Sequence, residues 1–226
     1  VTRVKSCGIT SLADARLAAE LGAWAVGLIL WPGSARACSP ADAEEIGAVL
    51  HRRCEVVGVF VNATLDEVAL AADRYGLSML QLHGDEGPAY CREAARRTGC
   101  TVMKAARVKD AATIRGLQAF RTDYHLLDAY VPGLPGGTGQ TFAWDLVGHH
   151  EGTVPIVLSG GLRPDNVGEA IATARPFAVD CASGTEAEPG RKDPELLEAF
   201  FGAVAVADEP EPAHYEAGDL PAGHHS

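Results

Sequence analysis

Side chains that could move protons or grip anions recur in this chain where short apolar runs give way to turns. Cys7 follows Val4-Lys5-Ser6 and precedes Gly8-Ile9-Thr10. Arg36 stands in a loop rich in Pro, Gly and Ser. Gln81 and His83 close the run that begins at Ser78, Asp128 follows Leu126-Leu127, and Asp180 follows Ala178-Val179. A thiolate can remove a proton and a carboxylic acid can supply one, so Cys7 and Asp128 suit general base and general acid roles. Each also has a plainer reading. Cysteine is often a small buried hydrophobe, and Asp128 equally suits a turn cap. Arg36 suits fork-like binding of a carboxylate, or is a solvated loop charge. His83 reads more readily as a hydrogen-bonding rim side chain than as a catalyst, although histidine as a residue type suits proton transfer.

Three glycine-rich turns accompany these groups: Gly136-Gly137-Thr138-Gly139, Ser159-Gly160-Gly161 and Ser183-Gly184. Glycine lets backbone N–H groups approach an oxyanion, and a following helix N-terminus favours phosphate. A lone Gly-Gly pair is only a turn. Two such turns after adjacent strands, at the end of an alternating α/β pattern, favour a phosphate site.

Such groups work together only if a frame gathers the ends of many strands. Apolar runs of strand length are predicted from Val4 to Cys7, Ala23 to Leu30, Val56 to Val61, Ser78 to Leu82, Thr101 to Ala105, Tyr124 to Leu127, Val154 to Leu158 and Phe177 to Asp180. Segments with helical spacing lie between them: Leu12 to Leu21 behind the Ser11 cap, Pro40 to Leu50 behind Ser39, Leu65 to Tyr75, Gly87 to Arg97 and Asp110 to Phe120. A short helix near Trp144, then Arg163 to Ala174 and Pro194 to Val206, complete the series. Eight alternations in this length predict a single (β/α)8 TIM barrel over residues 1–206, with a doubly wound open sheet as the runner-up. In a barrel the active groups sit at the C-terminal ends of the strands. Residues 207–226 carry five acidic residues, three prolines and no Lys or Arg. They read as a disordered acidic tail.

Composition narrows the function. A chain of 226 residues with 47% hydrophobic content supports one sizeable core. A net charge of −11 disfavours nucleic acid and anionic membranes as partners, and no apolar run is long enough to span a bilayer. The start of the chain passes straight into a turn, unlike a secretory signal. Six cysteines occur without a C-x-x-C pair, which points away from metal sites and disulfides and toward a reducing, cytoplasmic setting. An anionic small molecule remains a fitting partner, because local N–H groups can outweigh the global field.

The ordered motifs resemble those of the phosphoribosylanthranilate isomerase family from about Val4 to Phe201. They are Lys5-Ser6-Cys7-Gly8-Ile9-Thr10, Gly58-Val59-Phe60-Val61-Asn62, Gln81-Leu82-His83-Gly84-Asp85-Glu86 and Leu126-Leu127-Asp128 with Gly136 to Phe142. Leu158-Ser159-Gly160-Gly161-Leu162 and Asp180 with Ser183-Gly184, Glu186 and Lys192-Asp193 complete them. The resemblance implies an Amadori rearrangement of N-(5-phosphoribosyl)anthranilate in tryptophan biosynthesis, with Cys7 as base, Asp128 as acid and Arg36 on the anthranilate carboxylate. It places phosphate contacts on Gly136, Gly137, Thr138, Gly139, Gly160, Gly161, Ser183 and Gly184, while Gln81, His83 and Asp180 stand as rim residues by their strand-end positions. It implies no metal or cofactor, and a monomer or homodimer. Ser6, Ala37-Cys38 and Cys181-Ala182 depart from the family's usual residues, the last two near the ring and phosphate ends of the expected ligand. A paralogous sugar-phosphate isomerase, a non-catalytic phosphosugar-binding barrel and an interaction protein acting through the acidic tail are the competing readings.

Overall fold

The computed structural model describes residues 1–128, 144 and 146–209. Eight parallel strands close on themselves in chain order: β1 (Arg3–Cys7), β2 (Ala25–Ile29), β3 (Glu55–Phe60), β4 (Met79–Leu82), β5 (Thr101–Arg107), β6 (Tyr124–Asp128), β7 (Ile156–Ser159) and β8 (Ala178–Cys181). Closure is direct, with β8 pairing back to β1 through Val4↔Val179 and Lys5↔Asp180. The expected barrel is therefore present, and the open sheet is not.

Outside the strands lie α1 (Leu12–Glu20), α2 (Pro40–Leu50), α3 (Leu65–Arg74), α4 (Pro88–Thr98), α5 (Ala111–Gly116), α6 (Val167–Ala174) and α7 (Pro194–Ala207). Their starts follow local chemistry. Ser11, Ser39, Thr64, Asp110 and Asp193 each accept a backbone N–H of the first turn, and prolines at 40, 88 and 194 need no hydrogen bond there.

Three predicted boundaries shift for physical reasons. β7 begins at Ile156 because Pro155 has no N–H to give a ladder. α6 begins at Val167, not Arg163, because the Asn166 side chain accepts from Arg163 N (2.8 Å) and donates to Gly161 O (3.0 Å), closing a turn instead. The helix expected from Asp110 to Phe120 tightens into a 3₁₀ turn at Leu117–Ala119. A two-stranded hairpin, β9 (Glu186–Glu188) with β10 (Arg191–Lys192), was not anticipated. The last helix includes Ala207, and Asp208 accepts hydrogen bonds from Thr2 N (2.6 Å) and Thr2 Oγ1 (2.9 Å), so the barrel's packing continues two residues past 206. Residues 210–226 of the acidic tail, and the Gly136 to Gly139 loop, lie outside the described residues.

Strand alternation sorts side chains into two cores. Ala25, Val57, Met79, Met103, Leu126, Val157 and Ala178 fill the barrel interior. Trp24, Tyr124 and Phe177, with ring centroids 5.2–5.3 Å apart, plug its N-terminal end. Val4, Leu28, Leu80, Leu127, Leu158 and Val179 face the helices. Two residues above the interior layer, on the same face, stand Gln81, Asp128, Ser159 and Asp180, so the plug below leaves the C-terminal mouth as the polar end.

Candidate active site

Cys7 and Asp128 both reach this mouth from the last positions of their strands. β1 and β6 are separated by β7 and β8 on one side of the barrel and by β2 to β5 on the other, so the thiol and the carboxyl face one another across it. Cys7 is buried, and burial pushes its thiol up from the ordinary range, against the opposing pull of Lys5. Space for the sulfur comes from the neighbouring strand. Gly27 pairs with Cys7, and a Cβ at Gly27 would stand 2.7 Å from Cys7 Sγ.

Asp128 faces His83, whose Nε2 is 3.6 Å from Asp128 Oδ2. On its other side His83 Nδ1 is 3.1 Å from the Gln81 side-chain amide, so Nε2 is the ring nitrogen nearer Asp128. Gln81 and His83 thus stand beside the expected acid at the mouth. The loop carrying His83 is held from beneath. Lys104 Nζ donates to Leu82 O (3.2 Å) and Gly84 O (2.6 Å) and pairs with Glu86 (2.9 Å), which accepts from Asn62 N and Gly84 N.

Arg36 already grips a carboxylate of the chain itself. Its Nε lies 2.9 Å from both Glu186 oxygens and its Nη2 2.8 Å from Oε2. Glu186 is nearly sealed, while a quarter of the Arg36 side chain remains exposed. One edge of the guanidinium is therefore fixed and donors on the other remain for a planar anion. The opening turn packs against this pair: Gly8, at φ +76, would bring a Cβ to 3.0 Å from Arg36 Cδ and 3.3 Å from Glu186 Oε1.

The turns after β7 and β8 meet. Gly160 (φ +99) and Gly161 (φ +66) hold a backbone that other residues rarely adopt. Gly184, beside Ser183 in a 3₁₀ turn, packs so closely on the Leu162 carbonyl that a Cβ would collide with it. Asp180 sits under these turns and accepts from Lys5 Nζ (2.8 Å) and Ser159 Oγ (3.2 Å).

Of the departures from the family pattern, Ser6 is fully buried on the helix-facing side of β1. Cys38 and Cys181 belong to the outer core, not the barrel interior. Cys38 also lines a cleft of about 670 Å³ between the loops after β2 and β3, beside Trp31, Phe60 and Asn62. That cleft flanks the mouth and contains neither Cys7 nor Asp128. Among the described residues no His, Cys, Asp and Glu cluster has metal-binding geometry, and no helix is long and apolar enough to cross a membrane.

Sequence reasoning gave Lys5, Glu186 and Lys192 a place in the motifs but no role in the site. Lys5 was detectable, since it stands two residues before Cys7 on one strand and so shares its face. Glu186 and Lys192 belong to the unanticipated hairpin and carried no periodic signal.

Comparison with known proteins is consistent along the chain. A profile of the family described as N-(5'phosphoribosyl)anthranilate (PRA) isomerase matches residues 4–203. The N-(5'-phosphoribosyl)anthranilate isomerase of Citrifermentans bemidjiense is 49% identical over 197 residues, covering 87% of this chain and 94% of that protein. That of Geobacter sulfurreducens is 45% identical over 201 residues, covering 89% and 97%. The crystal structure of phosphoribosyl anthranilate isomerase from Thermotoga maritima is similar at a TM-score of 0.81 and 40% identity, covering 91% of this chain and 100% of that one. A structure of the enzyme in complex with reduced 1-(o-carboxyphenylamino)-1-deoxyribulose 5-phosphate is similar at a TM-score of 0.78 and 38% identity, with the same coverage.

Proposed function

This chain belongs to the N-(5'-phosphoribosyl)anthranilate isomerase family, and on that premise we propose that it acts as an isomerase of tryptophan biosynthesis through Cys7 and Asp128. The substrate is N-(5'-phosphoribosyl)anthranilate and the reaction an Amadori rearrangement. Asp128 gives a proton to the furanose ring oxygen as the C1–O bond breaks, and the substrate nitrogen's lone pair forms the iminium. Cys7, as thiolate, takes the proton from C2, and the C–H electrons neutralise the iminium to give an enolamine. Tautomerisation then yields the 1-deoxyribulose ketone. The substrate supplies its own electron sink, so the steps call only for an acid and a base.

One observation carries this reading: a thiol and a carboxyl face each other across one barrel mouth from the ends of β1 and β6. The exposed edge of Arg36 suits the anthranilate carboxylate. The turns at Gly160-Gly161 and Ser183-Gly184 suit the phosphate, as does the Gly136 to Gly139 loop by sequence. The test is fluorescence-monitored turnover of phosphoribosylanthranilate by the purified chain, alongside Cys7→Ser and Asp128→Asn. Turnover by the parent and its near-complete loss in both variants is expected. A parent that binds a phosphorylated product analogue without turnover would make the chain a silent phosphosugar-binding barrel. A Cys7→Ser variant at parental rate would end the thiolate-base mechanism.

A further inference from the structure

Directly under Cys7 lies a cation to which the mechanism above gives no part. Lys5 and Cys7 alternate on β1 and both enter the barrel. Lys5 is fully buried, an unusual place for an ammonium unless something needs its charge. Asp180 anchors it at 2.8 Å, and Ser159 Oγ holds the other oxygen of Asp180 at 3.2 Å. Gly27 then draws thiol and ammonium together: the point a Cβ would occupy there is 2.7 Å from Cys7 Sγ and 3.1 Å from Lys5 Nζ. Sulfur and ammonium converge on a volume that only a missing side chain leaves open.

We propose that Lys5 is a positioning residue for the isomerisation, its Asp180-anchored ammonium stabilising the Cys7 thiolate and holding the sulfur at the mouth. This rests on reading Cys7 as the general base. The surrounding charges fit it. Toward Cys7 face Lys5 on β1, Asp180 on β8, Lys192 on β10 and Arg36 in the loop after β2, and Glu186 contacts both Arg36 and Lys192. The uncharged Cys181 thiol lies behind on β8. Among the described residues that is three cations against two carboxylates, a set that balances when Cys7 carries a negative charge. Burial works against ionisation, and Lys5 is the strongest opposing influence on the thiol. An ion pair that merely tied β1 to β8 would not require the ammonium to meet the sulfur.

The experiment measures iodoacetamide alkylation of Cys7 against pH on the full chain, with the label located by peptide mapping, so the thiol is read without turnover. Lys5→Met should move the alkylation midpoint alkaline by roughly one pH unit or more. The limb of kcat/KM against pH should move with it. A Lys5→Met protein that melts cooperatively and keeps the parental midpoint overturns the proposal. If Lys5→Met does not fold, Lys5→Gln decides in the same measurement, and a folded Lys5→Gln protein with the parental midpoint overturns it. A midpoint that moves while the kcat/KM limb stays put refutes Cys7 as base but leaves the Lys5–Cys7 coupling standing.

Discussion

Asp128 can be stripped of its acidity with almost no change of shape. Asp128→Asn should lower kcat by about 10²- to 10⁴-fold, the range of general acid catalysis, while a product analogue still binds in a fluorescence titration. Near-parental turnover would move ring protonation to another group, with His83 next in line at 3.6 Å. The Arg36–Glu186 pair makes a different prediction. Arg36→Ala should raise KM far more than it lowers kcat, because it removes ground-state binding. Glu186→Gln keeps the shape but loses the charge that fixes one guanidinium edge, and should raise KM by about threefold to tenfold through a looser Arg36. An unchanged KM in Glu186→Gln would show that Arg36 needs no anchor. At this scale the proposed acid and base were legible as candidates, since Asp128 and Cys7 each end an apolar run. The anchors were not, because Glu186 meets Arg36 across 150 positions of sequence.

Elements act through where their ends meet. The turns after β7 and β8 touch at Leu162 O and Gly184, so neither can be widened without moving the other. Gly184→Ala should push these turns apart and raise KM for the phosphorylated substrate by about tenfold or more, while the interior strands and the far-UV circular dichroism stay parental. Parental KM in a folded Gly184→Ala protein would separate this turn from the phosphate. Most element bounds were readable because caps and prolines are local signals. The late start of α6 was not, since it depends on the Asn166 side chain reaching Gly161 O.

Across the whole molecule, buried titratable groups bound the stable pH range. His125, on the outer face of β6 against His150, is held by burial from its ordinary 6.5 down to about 4. As pH falls below 6.5 the unfolded chain takes up that proton first, so stability is full above 6.5 and declines toward 4. Burial also pushes Cys54 and Cys181 up to about 11 and Cys38 up to about 12. Unfolded thiols ionise first as pH rises past 9, so stability falls on that side too. Thermal melts across pH should show a plateau between about 6.5 and 9, and His125→Asn should flatten the acid limb whatever it does to the plateau. An acid limb as steep as the parent's would assign that loss to other groups. Removing residues 210–226 should leave Tm and turnover near parental values. Removing Asp208 as well should cost about 1–2 kcal/mol, measurable by urea unfolding, because Thr2 loses both hydrogen bonds.

The sequence by itself determined the alternation of strands and helices and the chemical identity of the groups at the strand ends. These are local properties: periodicity, capping and side-chain type are written within a few residues. Closure of the sheet was a different matter, because an open and a closed parallel sheet share one hydrophobic pattern and differ only in whether β8 finds β1. The same limit applies to charge. Lys5, Asp180, Glu186 and Lys192 are visible in the sequence only as motif or strand-end residues, and their influence on Cys7 and Arg36 appears only when burial removes water and the barrel brings them within a few ångströms.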